Sequence, residues 1–295
     1  MITLLAEALM SYIPDDRIPS MQEYAQVLDV SVGTVQSAVN ALQVSGVVKL
    51  ENRGRLGAFI ADINYGELWA LAHNRAMVGI LPLPFSRRLE GLATGMRQQF
   101  NTQPFSLELR FIRGATTRLQ KLQSHQCDWT VVSRYVAENA AVHGFDVQVL
   151  ALLGEETYTV EHVLVTLGAD TLTDGMRIGI DPNSTDHAYI VRMASRGKQV
   201  EFVEMDYSQG LELLEQGAID ATIWTRDDVP PTTKHVRVNP LQQMGDRNFA
   251  LFGEAAIVTQ PDNRSIQNVL TALLDVAAIR QTQESVLQRL QLPSY

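Results

Sequence analysis

Along the first sixty residues, apolar positions recur every three or four residues, the spacing of amphipathic helices. Ile2, Leu5, Ala6, Leu9 and Ile13 predict a first helix, ending before Pro14 because proline disfavours helical backbone in the residue before it. Ser20 and Glu23 form an S-x-x-E capping box, in which the hydroxyl accepts from a free first-turn amide and the carboxylate reaches back. Tyr24, Val27 and Leu28 give this second helix its apolar face. Asp29 and Val30 break the chain, and Ser31 offers an N-cap for a third helix. There Val35, Val39 and Leu42 share one stripe, while Gly33, Thr34, Gln36, Ser37 and Asn40 lie largely off it. After Gly46 the period becomes that of strands. Residues 47–50, a turn at 51–55 and a return at 56–61 predict a β-hairpin. Three helices and a hairpin make a winged helix-turn-helix over residues 1–61.

Residues 62–76 predict a linker helix, with Asn64 as its cap and Tyr65, Leu68, Trp69 and Ala72 as its stripe. The stripe fits a second subunit or the chain's own surface equally well. From Met77 onward, strand and helix patterns alternate, which implies a parallel sheet covered on both faces. Residues 119–134 and 211–226 both read as a leucine-rich helix, a turn, an Asp, an apolar strand, then a hydroxyl residue and Arg. This loose repeat predicts two α/β lobes over residues 77–295, joined by strand-like runs near residues 154–167 and 252–260.

Charge changes the picture of the winged helix. The whole chain carries a net −9, so any DNA contact must be local. Residues 29–42 hold no Lys or Arg, and residues 1–60 have four basic groups against six acidic ones. Base-edge contacts therefore fall to Ser31, Gly33, Thr34, Gln36, Ser37 and Asn40. Glutamine pairs with adenine, and hydroxyls with base edges or phosphates. Phosphate contacts fall mainly to the hairpin tip, Arg53 and Arg55. The expected partner is a double-stranded DNA operator, read by a homodimer on two half-sites. The one cysteine, Cys127, makes no intrachain disulfide, and the histidines show no metal-ligand spacing. With no basic leader and no long apolar run, the expected setting is cytoplasmic, away from any membrane. No cofactor is expected.

Residues 18–60, from the capping box to the hairpin, resemble the winged helix of GntR-type regulators. Gln22, Val32 and Gln36 stand where that family tends to carry arginine, so strong phosphate anchoring is not implied. Residues 77–295 resemble the type 2 periplasmic-binding-protein fold used as an effector sensor. At finer grain, LPLPFSRRLEGLATG, WTVVSRYVAEN, VGTVQSAV, RGRLGAFI, IDATIW and the terminal PSY are similar to the YhfZ family of predicted transcription regulators. That resemblance spans nearly the whole chain and implies a winged helix followed by a two-lobed sensor, with no effector specified.

Ligands of such open sheets bind at the carboxyl ends of strands, where helix N-termini converge. The wall is then expected from Ser86, Arg87, Gly114, Thr116, Ser133 and Arg134 in lobe one. Lobe two contributes Asn183, Ser184, Thr185 and Trp224, with Thr157 and Tyr158 near a crossing. Of Arg87 and Arg88, one is expected to point inward. Hydroxyls, amides and arginines suit a small anionic or polyhydroxyl effector. The rival reading is an enzyme acting on a small anion. No nucleophile with its base, GxSxG elbow or phosphate-cradling loop is present. Glu155-Glu156 and Asp227-Asp228 read as solvated loop charge. The expectation is a ligand-responsive regulator, not an enzyme.

Overall fold

A computed structural model of the chain describes residues 1–229, 236–241 and 248–295. The chain opens with α1 (Ile2–Leu9), α2 (Met21–Val27) and α3 (Val32–Val44), followed by β1 (Val48–Asn52) and β2 (Ala58–Ile63). Helix α1 stops at Leu9, before Pro14 would force it to. Leu5, Ala6 and Leu9 are buried, while Ile2 and Ile13 stay exposed. The capping box forms: Glu23 N–H donates to Ser20 Oγ at 3.2 Å, and Ser20 N–H to the Glu23 carboxylate at 2.7 Å. Ser31 Oγ accepts from Thr34 N–H and caps α3. Val35, Val39 and Leu42 are buried, and β1 and β2 pair antiparallel as the wing.

Asn64 caps α4 (Tyr65–Ala72) through Glu67 N–H. The stripe of α4 packs within its own chain, against α1 and a helix near the C-terminus. Leu68 and Trp69 are fully buried, and the Tyr65 hydroxyl donates to the Tyr12 carbonyl. The winged helix, α4 and the first lobe share one apolar core.

Lobe one contains β3 (Met77–Leu81), α5 (Arg87–Phe100), β4 (Leu107–Phe111), α6 (Ala115–Gln123), β5 (Trp129–Ser133), α7 (Arg134–Glu138) and β6 (Gln148–Leu152). The chain crosses into lobe two as β7 (His162–Leu167), then β8 (Arg177–Ile180), α8 (Thr185–Ala194), β9 (Glu201–Glu204), α9 (Gly210–Glu215), β10 (Ala221–Thr225) and β11 (Val236–Pro240). It returns through α10 (Asn248–Gly253) and β12 (Ala255–Thr259), and ends with α11 (Arg264–Leu273) and α12 (Val276–Leu287). Helix α11 is the partner of α4. There the Asn268 amide donates to the Met10 carbonyl and Arg264 faces Asp16.

The sheets run β4-β3-β5-β12-β6 and β9-β8-β10-β7-β11. The repeat is thus topological: in each lobe the first of three parallel strands (β3 or β8) lies between the second (β4 or β9) and the third (β5 or β10), and an antiparallel strand follows the third. The expectation of a parallel sheet is corrected. Both sheets are mixed, because β12 and β7 run against β5 and β10. They are the strands through which the chain returns to one lobe and enters the other, so they run opposite to the βαβ strands. Gly91 and Gly95 of α5 let α12 approach closely; a Cβ on Gly95 would lie 2.8 Å from the Ile279 carbonyl oxygen. Among the described residues, no helix is long and apolar enough to cross a membrane.

Candidate functional site

Two surfaces carry chemistry. On α3, residues Gly33, Thr34, Gln36, Ser37 and Asn40 are all exposed, opposite the buried stripe. Ser31 and Thr34 also bond each other at 2.8 Å, so Gln36, Ser37 and Asn40 are the freer groups. At the wing, Arg53 is held by Asp15 and Glu51 at 2.8 and 2.9 Å and lies over the Phe59 ring. Arg55 is exposed and, among the described residues, forms no ion pair. The wing therefore offers less free positive charge than its two arginines suggest.

The second surface is a cleft between the lobes, roughly 870 Å³ with its open mouth included, within the size range of small-molecule sites. It lies at the carboxyl ends of β3, β4, β8 and β10. Lobe one gives the β3–α5 loop with Phe85, Ser86 and Arg88, then Arg113, Gly114 and Arg118. Lobe two gives Asp181, Ser184, Asp186, His187, Tyr207, Thr225 and Asp228, while Tyr158, Thr159 and His162 come from the crossing. The N-termini of α6 and α8 meet here, and neither has a side-chain cap. Gly114 has φ 78°, and a Cβ there would lie 2.8 Å from the Asn183 carbonyl oxygen; glycine relieves both constraints.

Arg113 spans the lobes, pairing with Asp181 at 3.2 Å and with Asp206. Asp181 is fully buried and also accepts from the amides of Asn183 and Tyr207. Below this latch, Tyr135, Tyr189 and Phe252 pack rings from both lobes, with Tyr135 and Tyr189 centroids 5.0 Å apart. Arg118 is 2% exposed. It donates to the carbonyls of Val131 and Ile112 and to the Tyr158 hydroxyl, yet forms no ion pair among the described residues. Burial pushes the Asp186 carboxyl up to about 6, against the lowering effects of the Ser133 hydroxyl and the Arg118 charge. Burial also pushes His187 and His162 down to about 4, so both are neutral at pH 7. His187 Nδ1 accepts from the Asp181 amide, which leaves the proton on Nε2.

Of the residues expected at the wall, Ser86, Gly114, Tyr158 and Ser184 line the cleft, while Arg87, Thr116, Ser133, Arg134, Thr157, Asn183, Thr185 and Trp224 do not. Arg88, not Arg87, faces it. Arg134 is held by Glu138 and Glu254. Ser133 caps α7, and Thr157 bridges the Gly154 carbonyl and the Ala255 amide. Thr116 and Thr185 face each other across the lobes at 3.5 Å. Trp224 stacks on Tyr207, and so backs the wall from behind. Arg113, Arg118, Asp181, Asp186, His187 and Tyr207 escaped the sequence reading. The only signal for them was position just past a strand or inside a first helical turn. The Asp227 side chain lies outside the described residues. Cys127 is buried, its thiol pushed up to about 12 by burial, and stands away from the cleft wall.

Comparison with known proteins bears on both units. A helix-turn-helix domain model matches residues 15–60, and the YhfZ C-terminal domain model matches residues 64–295. The chain is 32% identical to the uncharacterized protein YhfZ of Escherichia coli (strain K12), covering 100% of this chain and 96% of the relative. The crystal structure of YhfZ from Shigella flexneri superposes with a TM-score of 0.65 at 30% identity, over 78% of this chain and 98% of that one. An ancestral arginine-binding protein bound to arginine superposes with a TM-score of 0.50 at 13% identity, over 74% of this chain and 98% of that one, a likeness of fold alone. With the YhfZ C-terminal domain model over residues 64–295 and 32% identity along the whole length, the chain, a helix-turn-helix unit joined to a periplasmic-binding-protein-like domain, belongs to the YhfZ family.

Proposed function

We propose that this protein is a transcription regulator that binds operator DNA through α3 and the wing, and senses a small anionic metabolite between its lobes. The observation that carries the reading is the joint occurrence, in one chain, of an outward polar face on α3 and an inter-lobe cleft whose buried Arg118 forms no ion pair among the described residues. Specific contacts come from Gln36, Ser37 and Asn40, with Arg55 on phosphate. A homodimer reading two half-sites raises an affinity that few phosphate contacts would leave weak. A polyhydroxyl effector fits less well, because it brings no negative charge to the buried Arg118.

The effector works by selecting one degree of lobe closure, which requires unequal affinity for the two states. Since α4 is buried against α11, the winged helix travels with lobe one, and closure moves lobe two against both. A footprint on the DNA upstream of its own gene tests the regulator reading. Specific protection supports it; catalytic turnover of a small anion without any protection would favour the enzyme instead. For the sensor, a ligand at 100-fold its Kd stabilises by about 2.7 kcal/mol, readable as a thermal shift.

A further inference from the structure

The cleft holds both signs of charge in groups that the protein leaves incompletely satisfied. On one side is Arg118, buried, with two of its five N–H donors unused and no carboxylate partner among the described residues. Arg118 itself stands in the first turn of α6, whose amides have no side-chain cap and which opens at the cleft. On the other side is Asp186, in the first turn of α8, whose Oδ1 is buried without a hydrogen-bond partner among the described residues. A buried acceptor left unmade is costly, and native structures retain such groups chiefly where something else completes them.

We propose that the cleft takes a small amino-bearing acid, whose anionic group meets Arg118 and the α6 amides and whose protonated amine donates to the free Asp186 oxygen. The inference rests on the sensor reading above and narrows its ligand. A simple anion would answer Arg118 but set a second negative charge beside Asp186. A neutral sugar would bring no charge to either group, leaving Arg118 and Asp186 only each other's field to offset their burial. An amphoteric molecule satisfies the two together, and Leu83, Phe85 and Leu89 at the lobe-one side accommodate an apolar side group. With its carboxyl at about 6, Asp186 is ionised at pH 7.5 and ready for a charge-assisted bond.

The test is thermal shift followed by calorimetry on the full chain at pH 7.5. The probes are the protein amino acids, the 2-oxo acids of the same skeletons, hexoses and inorganic phosphate. The expected result is that at least one amino acid binds, at least tenfold more tightly than its 2-oxo acid. Asp186→Asn should weaken that amino acid about tenfold or more and leave the 2-oxo acid unchanged. Asp186→Ser should behave alike, and both variants should melt no lower than the parent. If a 2-oxo acid, phosphate or hexose binds as tightly as any amino acid, or if Asp186→Asn keeps full affinity, the inference is overturned while the sensor reading stands. If nothing in the panel binds, the inference also falls, and the sensor reading is judged separately by whether a cell metabolite extract alters operator binding.

Discussion

At the scale of single residues, the α3 face and Asp186 make opposite kinds of prediction. Gln36 is exposed and, among the described residues, its side chain forms no hydrogen bond, so Gln36→Ala should leave the melting temperature unchanged. It should also flatten preference at one base pair by about 1–3 kcal/mol, measured by competition binding with single-base operator variants; unchanged preference would remove Gln36 from the recognition face. Asp186 acts on the fold itself. Its folded pKa, about 6, lies above that of an unfolded Asp, about 3.9. Its contribution is therefore fully present below about pH 4 and lost as pH rises through 6. His162 and His187, near 4 when folded, act in the other direction: their contribution is present above about 6.5 and lost as pH falls towards 4. Asp186→Asn should thus raise unliganded stability at pH 8, by up to about 3 kcal/mol, with the difference vanishing near pH 4. Denaturant melts at the two pH values check it. Little of this was legible in sequence. Arg87 and Arg88 are neighbours in a chain, and only the phase of α5 decides that Arg88 faces the cleft. Asp186 and Arg118 are 68 positions apart and share a site only through packing of the lobes.

At the scale of elements, legibility followed the range of the forces. The capping box of α2, the Ser31 cap of α3 and the Asn64 cap of α4 are bonds spanning three residues, so sequence alone located them. The βα alternation was also local. The mixed sheet direction was not, because β7 and β12 owe their direction to where the chain crosses, and α11 and α12 define themselves by partners far back in sequence. The α4 stripe could not be assigned from its own residues; its partners are α1 and α11. Trp69→Ala should cost about 3–5 kcal/mol and loosen the winged helix from lobe one, seen as faster amide exchange in α1 and α4. Normal protection there would refute the rigid connection. At the wing, Arg53 is already engaged by two carboxylates, so few phosphates are neutralised. The slope of log affinity against log salt, about −0.9 per phosphate, should be shallower than about −8.

At the scale of the whole molecule, the lobes are held together by the Arg113 latch and by the aromatic contact beneath it. Arg113→Ala leaves Asp181 buried without its cation, a loss of about 3 kcal/mol. It should shift the unliganded chain towards an open form, read as a larger radius of gyration in solution scattering. An unchanged radius would mean that the aromatic cluster alone sets closure. Closure regulates only if it reaches the DNA. The most direct measurement is a footprint of the intact protein on the DNA upstream of its own gene, with and without a cleft ligand found in the thermal screen, alongside Gln36→Ala and Asp186→Asn. Specific protection is expected, reduced by Gln36→Ala, with a ligand-induced change in that protection that Asp186→Asn abolishes. Protection that is indifferent to a ligand bound in the cleft, or absent under every condition, would contradict that expectation.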